Sequence, residues 1–217
     1  MTRTLVLDLD GTLVDSVPDL ASALNRLMAA RGLGAFSRPE TATMVGDGVE
    51  KLLERAFAAR GQELDRAALA TFSSDYAAHA AVETRPFPGV VAGLRTLADE
   101  GWRLAVCTNK PEAATRALLT ALDLAPLFAA VGAGDSFPTR KPDPAHLLST
   151  LRAAGGVPER AVMTGDHAND IKAAHGAGLP CIFAAWGYGG PDVAAGADAV
   201  ARSFPEMMGI ARQLLAP

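Results

Sequence analysis

The stretch "LVLDLDGTLVDS", residues 5–16, sets an apolar run of the kind that becomes a buried strand directly against two carboxylates. Asp8 and Asp10 stand two residues apart and are followed at once by Gly11 and Thr12. Two like charges that close repel each other and lose hydration on leaving water, so the arrangement calls for a cationic partner. Strand alternation places residues i and i+2 on one side. A strand that persists through Asp10 therefore points both carboxylates into one pocket at the sheet's edge, with Gly11 and Thr12 turning the chain away. An Asp-Gly pair is also an ordinary turn signal, so the rest of the chain has to decide.

Working outward, the same unit recurs: an apolar run, then a helical stretch. Runs at 4–9, 103–108, 128–133, 161–164 and 181–185 alternate with helix-like segments at about 89–100, 111–122, 143–154 and 168–177. Strands alternating with helices of this length predict an α/β fold, a Rossmann-like parallel sheet covered by helices on both faces. Ligands of such sheets bind just beyond the carboxyl ends of the strands. One segment breaks the alternation. Residues 16–84 carry only Ala/Leu-rich helical periodicity (DLASALNRLMAA, VEKLLERAFAAR, RAALATFSSDYAAHA) and end at Arg85-Pro86-Phe87-Pro88-Gly89, where prolines stop a helix and suit a hinge. The expected organisation is a core of residues 1–15 and 85–217 with a helical cap domain, 16–84, inserted after the first strand and hanging over Asp8 and Asp10.

Composition narrows the function classes without choosing one. Of 217 residues, 49% are hydrophobic and 20% charged, an ordinary globular balance, and no apolar run approaches the ~18 residues needed to span a bilayer. Asp8 and Asp10 interrupt the apolar stretch at the N-terminus, so no signal peptide is expected there and the location read from the sequence is cytoplasmic. Net charge is −4 and the 20 basic residues are scattered, which speaks against nucleic acid as a partner. Cys107 and Cys181 lie far apart inside apolar runs, the pattern of buried reduced thiols rather than of a disulfide.

The chemistry-bearing residues sit at the ends of the runs. Thr108-Asn109-Lys110-Pro111 closes the second, and a hydroxyl and an amide there, with Pro suited to the first helical position, make an anion-binding helix start or simply an N-cap. Lys141 follows the third, between Arg140 and Pro142-Asp143-Pro144, where flanking prolines turn its ammonium inward; taken singly, it also reads as a surface lysine. After the fourth comes "TGDHANDIKAAHGAG", in which Asp166 and Asp170 are four apart at a helix start and hence on one face. The helix dipole accounts for an acid there, but not for two strands of one sheet both ending in acids. Two such clusters suit a hard divalent cation, and Mg²⁺ fits best, bound by few carboxylates with water and a substrate phosphate completing its shell. Metal and lysine together suit a phosphoryl group. One Asp can attack phosphorus to give an aspartyl-phosphate, and the other can serve as general acid and then as base for water.

These residues, in this order, resemble the haloacid dehalogenase superfamily of phosphohydrolases: DLDGT at 8–12, Thr108, Lys141 in KPDP, and GDHAND at 165–170. Within it the chain is most similar to the phosphoglycolate phosphatase family, through DLDGTLVDSVPDLASALN, MVGDGVEKLLERA, RPFPGV, CTNKP, RKPDP, and GDHANDIKAAHGAG followed by WGYG. The resemblance implies Asp8 as nucleophile and metal ligand, and Asp10 as general acid/base whose backbone carbonyl also binds the metal. It implies Thr108, Asn109 and Lys141 as holders of the phosphoryl oxygens, Asp166 as a Mg²⁺ ligand, and Asp170 as support for the metal or its waters. The implied substrate is a small phosphorylated metabolite, 2-phosphoglycolate, and the insert is a mobile cap that closes over it. The expected assembly is a monomer or homodimer. His167 departs from the pattern, standing where many relatives carry a small hydroxyl residue; it either hydrogen-bonds near the helix start or touches substrate. His79, His146 and His175 show no ligand spacing and are expected on helix surfaces or packing edges.

Several readings share this core: an inorganic pyrophosphatase, a sugar-phosphate phosphatase and a phosphomutase, with Gly46-Asp47-Gly48 the first place to look for the difference. A dehalogenase is disfavoured by Asp10, since relatives that cleave carbon–halogen bonds lack the second aspartate. A receiver-type signalling module is disfavoured by Asp10 and by the long insert, and a binding protein without catalysis by the intact acids.

Overall fold

A computed structural model describes residues 2–216, leaving the outermost ends of the expected core, Met1 and Pro217, outside the described residues. The opening stretch forms β1 (Thr4–Leu7), every residue of it buried, and then β2 (Val14–Asp15). Four helices follow: α1 (Val17–Ala30), α2 (Arg38–Ala42), α3 (Val49–Ala58) and α4 (Arg66–His79). The chain returns through β3 (Arg85–Pro86) to α5 (Val90–Asp99), β4 (Arg103–Cys107), α6 (Glu112–Ala121) and β5 (Ala130–Gly132). It continues through α7 (Pro144–Ala153), β6 (Ala161–Gly165), α8 (Ala168–Gly176), β7 (Cys181–Ala184), α9 (Pro191–Ala194), β8 (Ala199–Ala201) and α10 (Phe204–Leu214).

Six strands make one sheet in the order β5-β4-β1-β6-β7-β8, with parallel pairing throughout. Side chains alternate across it, so β1 divides its apolar residues between two cores. Leu5 and Leu7 join Val90, Leu94, Leu118, Phe204 and Met207 of α5, α6 and α10, while Val6 joins Leu147, Leu151, Ile171 and Ala174 of α7 and α8. Burial on both faces is what a near-continuous apolar strand requires. The chain winds outward from β1 through β4 to β5, then returns past β1 to β6 and winds the other way. That reversal leaves a crevice at the carboxyl ends of β1, β4 and β6, where Asp8, Thr108 and Asp166 stand.

The helices between β2 and β3 bury a third cluster of their own, including Leu24, Leu27, Met28, Leu53, Phe57, Phe72 and Tyr76. Each such side chain contributes roughly 1.5–3 kcal/mol on leaving water, so packing holds the insert together. The two crossings into and out of it pair antiparallel, Val14 opposite Pro86 and Asp15 opposite Arg85, and Phe87 N–H donates to the Leu13 carbonyl at 3.0 Å. The expected proline hinge is thus a two-stranded ribbon. Asp19, in the first turn of α1, fastens its far side by accepting from the amides of Glu83 and Thr84 and from the Thr84 hydroxyl, at 2.7–3.1 Å.

Several elements differ from the sequence expectation, which places no strand at β2 or β3 and no helix at α9 or α10. β1 ends at Leu7 rather than persisting through Asp10, because the amides of Leu13 and Val14 fold back onto the Leu9 carbonyl at 2.9 and 3.0 Å. β8 and α2 lie in segments whose short, mixed text carries no period.

Candidate active site

Asp8 extends the β1 ladder by one step: its amide donates to the Thr164 carbonyl at 2.9 Å, which fixes its side chain at the sheet's carboxyl edge. The carboxylate accepts from the Leu9 amide at 2.7 Å and lies 3.0 Å from Lys141 Nζ. Asp10 reaches the same cleft by a different route than strand alternation, because the turn through residues 9–14 carries it round. Its oxygens face Lys110 Nζ, each at 3.1 Å. The turn depends on Gly11, whose φ of +83° suits glycine and whose missing side chain leaves room for the Asp166 carboxylate.

Asp166 and Asp170 do not share a helix face. His167 is extended (φ −123°, ψ 157°) and α8 starts only at Ala168, so Asp166 belongs to the strand end while Asp170 lies in the first helical turn. They converge because the Asp170 carboxylate turns back to accept from the His167 amide at 3.0 Å. Asp166 is fully buried and accepts from Thr12 Oγ1 at 3.0 Å and the Tyr188 amide at 2.8 Å. Asp170, also fully buried, takes Lys141 Nζ at 2.6 Å. Lys141 therefore bridges an acid at the end of β1 and one in the first turn of α8, its ammonium turned inward.

The electrostatics follow from burial. Burial raises the pKa of the Asp8 carboxyl and the Asp170 charge adds to that, with Lys141 opposing both. Burial works against the Lys141 ammonium, but Asp170 and Asp8 hold its pKa well above the ordinary lysine range. His167 behaves likewise: burial lowers it, and Asp166 beside it overcomes this and lifts it to about 9. Its Nδ1 lies 3.2 Å from Asp166 Oδ1, close enough for ion pairing but off the line of a hydrogen bond. Its ring packs on Gly46 of the insert, where φ is +117° and a side chain would collide with the imidazole.

Ligating atoms of Asp8, Asp166, His167 and Asp170 all lie within 4.8 Å of one another. Three carboxylates on one point, with hard oxygen donors and an Asp8 whose charged form is disfavoured, fit a hard divalent cation. Asp10 is outside that group; its carboxylate belongs to Lys110.

Thr108 and Asn109 end β4 as expected and are 2% and 6% exposed. The Asn109 amide nitrogen is committed to two backbone carbonyls, Lys141 at 2.9 Å and Gly46 at 3.2 Å, so it ties the insert's loop to the core. The cleft lined by Asp8, Asp10, Thr108, Asn109 and Lys110 is narrow, with a cavity volume of about 30 Å³, and opens in part to solvent; Leu20, Val45, Val49 and Leu52 of the insert supply its apolar wall. Asp47 reaches across from the same loop to Asn169 at the start of α8 and pairs with Arg55.

Sequence reasoning gave no role to Lys110 or Tyr188 and only a turn to Thr12, though all three lie in stretches it singled out. Tyr188 accepts at its hydroxyl from the amides of Ser16 and Val17, at 2.8 and 3.2 Å, and donates to Asp15 at 2.9 Å. It pins the first crossing beside Asp166. One expectation is corrected: His146 lies at no surface or edge but is fully buried, its ring nitrogens 2.7 Å from the Thr139 carbonyl and 3.3 Å from that of Gly132. His79 and His175 are exposed, beside Asp75 and Asp198.

Comparison with known proteins places this geometry. The family model of haloacid dehalogenase-like hydrolases matches residues 2–178. A phosphoglycolate phosphatase of Caulobacter vibrioides is 44% identical over 206 residues, covering 93% of this chain and 87% of its own. Among solved structures, a predicted phosphoglycolate phosphatase from Haemophilus somnus superposes with a TM-score of 0.89 at 31% identity over 96% of this chain and 97% of its own. CbbY from Rhodobacter sphaeroides in complex with phosphate does so with a TM-score of 0.80 at 28% identity over 95% and 96%. The chain belongs to the haloacid dehalogenase-like hydrolases and is a phosphomonoester hydrolase of that family.

Proposed function

We propose that the protein hydrolyses 2-phosphoglycolate to glycolate and phosphate in a Mg²⁺-dependent reaction through an aspartyl-phosphate on Asp8. The observation that carries the chemistry is the buried Asp8 carboxylate, 3.0 Å from Lys141, at the edge of a cleft that Asp10 also lines. The substrate name rests on the phosphoglycolate phosphatases to which the chain is similar, and the phosphate held by the CbbY relative agrees with a phosphoryl site.

In this reading an Asp8 oxygen forms a bond to phosphorus as the bond from phosphorus to the glycolate oxygen breaks. Asp10 gives its proton to that departing oxygen. Asp10 then takes a proton from water, whose oxygen attacks phosphorus and releases phosphate and the Asp8 carboxylate. Lys141 offsets the charge of the phosphoryl oxygens, and the Thr108 hydroxyl and the Asn109 main-chain amide hold them, since the Asn109 side-chain amide is spent on backbone carbonyls. When bound, Mg²⁺ would be held by Asp8, Asp166, Asp170 and the Asp10 carbonyl and would supply positive charge that offsets the nucleophile and the phosphoryl oxygens. The helical insert, residues 16–84, serves as a cap on the core of 1–15 and 85–217. Its apolar wall over a small cleft suits a short substrate and excludes water.

The test is a comparison of kcat/KM over 2-phosphoglycolate, pyrophosphate and hexose phosphates, together with Asp8→Asn. The expected result is 2-phosphoglycolate first by at least about tenfold and, for the variant, a loss on the order of 10³-fold or more, since a neutral amide is a poor nucleophile. A low rank for 2-phosphoglycolate overturns the substrate, and substantial turnover by Asp8→Asn overturns the nucleophile.

A further inference from the structure

Lys110 belongs to the core by its backbone and to the insert by its side chain. Its amide donates to Thr108 Oγ1 at 3.3 Å and its carbonyl accepts from the Gly134 amide at 2.9 Å, so the main chain is fixed beneath the cleft. The side chain, 3% exposed, places Nζ 3.1 Å from both oxygens of Asp10 and 2.6 Å from the hydroxyl of Tyr76. Tyr76 lies on α4 of the insert, is 2% exposed, and stacks on Phe72 with ring centroids 5.8 Å apart. Nζ also sits 4.5 Å from the Tyr76 ring centroid.

An ammonium carries three donors, and a buried one requires a partner for each. Here two are spent on the two Asp10 oxygens and the third on Tyr76. The geometry therefore fixes the plane of the Asp10 carboxylate, and it does so only while α4 stands where it does. The packing of the ring does not need this hydroxyl, because Tyr76 already stacks on Phe72 within the insert's apolar cluster.

We infer that Tyr76 is a positioning residue for Asp10, acting through Lys110, so that the acid–base group is aligned by the docked insert rather than by the core alone. The inference rests on the proposed role of Asp10. Loss of the hydroxyl leaves one N–H of a buried ammonium unpaired, frees Lys110 to turn or draw in water, and releases the Asp10 carboxylate from its fixed plane.

A leaving group that needs a proton separates this role from a structural one. An alkyl phosphate such as 2-phosphoglycolate departs as a basic alkoxide, whereas p-nitrophenyl phosphate departs as a stable phenolate that needs no acid. For Tyr76→Phe the expected loss in kcat/KM is about tenfold on the alkyl ester and under about threefold on the aryl ester, a share of what a general acid supplies. Asp10→Asn is the control and should show the same selectivity, more strongly. Equal losses on both esters, or none, for Tyr76→Phe while Asp10→Asn stays selective overturn the positioning role and leave Asp10 in place. Absence of selectivity in Asp10→Asn removes the acid role, and the positioning role with it. Should Tyr76→Phe fail to fold, Lys110→Gln gives the same ratio and is judged by the same outcomes.

Discussion

Lys141 holds its ammonium 3.0 Å from the Asp8 carboxylate, with 1% of the one side chain and 7% of the other exposed. The same ammonium lies 2.6 Å from Asp170, so one cation serves two buried anions. Lys141→Met leaves those anions facing each other out of water. Breaking a buried pair by removing one partner costs about 3–5 kcal/mol. In urea unfolding with chelator present, the variant should lose stability of that order, and turnover should be undetectable. A change within about 1 kcal/mol would mean that Asp8 and Asp170 find other compensation.

The core was legible in the sequence because its signal is dense and local. β1, β4, β6 and β7 are continuous apolar runs, and α5, α6, α7 and α8 each have their own period and boundary residues, whereas α10, which also covers the sheet, went unread. The candidate site was legible in part for the same reason, since Asp8, Thr108 and Asp166 stand at strand ends, which are marked by the change from apolar to polar text. What escaped was whatever depends on contact across the chain. β2 and β3 are two residues each and exist only because they pair with one another. Lys110 stands in a motif that drew notice for its neighbours, and its partner Tyr76 is a helical aromatic in a different unit, which by itself reads as core. The convergence of Asp166 and Asp170 was foreseen with the wrong geometry, because a spacing of four means one face only inside a helix.

Asp65 supplies a pH test on the insert. It caps α4 through the Ala68 amide at 2.7 Å and pairs with Arg31 at 2.6 Å; the Arg31 hydrogen bond first, and the Ala68 amide after it, hold its pKa down at about 2. A carboxyl whose folded pKa is lowered binds fewer protons folded than unfolded, so its contribution is complete above the unfolded value near 3.8 and fades as pH falls through about 2. Asp65→Asn should therefore melt below the wild type at pH 6, with the gap closing between about pH 4 and 2. Because the pair is exposed, 1 M salt should narrow the gap at pH 6. A gap that is constant with pH would mean that the charge of Asp65 contributes nothing to the difference, since both the Arg31 pair and the Ala68 cap favour the ionised form.

The two thiols provide a measure of how tightly the sheet is closed. Cys107 and Cys181 are free and fully buried in the same apolar layer, and burial pushes Cys107 up to about 12 and Cys181 well above the ordinary thiol range. The thiolate is the reactive form, so the native protein at pH 8 should resist iodoacetamide, and two equivalents should react at once in urea. Mass spectrometry counts the adducts. Rapid native labelling at Cys107 would show that the strand carrying Thr108 opens locally.

Divalent metal should stabilise the folded chain independently of any turnover. Asp8, Asp166 and Asp170 place ligating atoms within 4.8 Å of one another, with Lys141 and His167 to offset them among the described residues, and the unfolded chain has no such arrangement. A ligand that binds only the folded state adds RT ln(1 + [L]/Kd), about 2.7 kcal/mol at a hundredfold excess over Kd. For a domain of this size that corresponds to a rise in melting temperature of roughly 5–10 °C. Asp166→Asn should lose most of the rise, because it removes a carboxylate charge that Thr12 and Tyr188 hold toward the cluster. Asp198→Asn should keep it, since Asp198 pairs with His175 and the Cys181 amide. Equal rises in all three proteins would place the metal elsewhere, and no rise in the wild type would remove the cation from the ground state of the site.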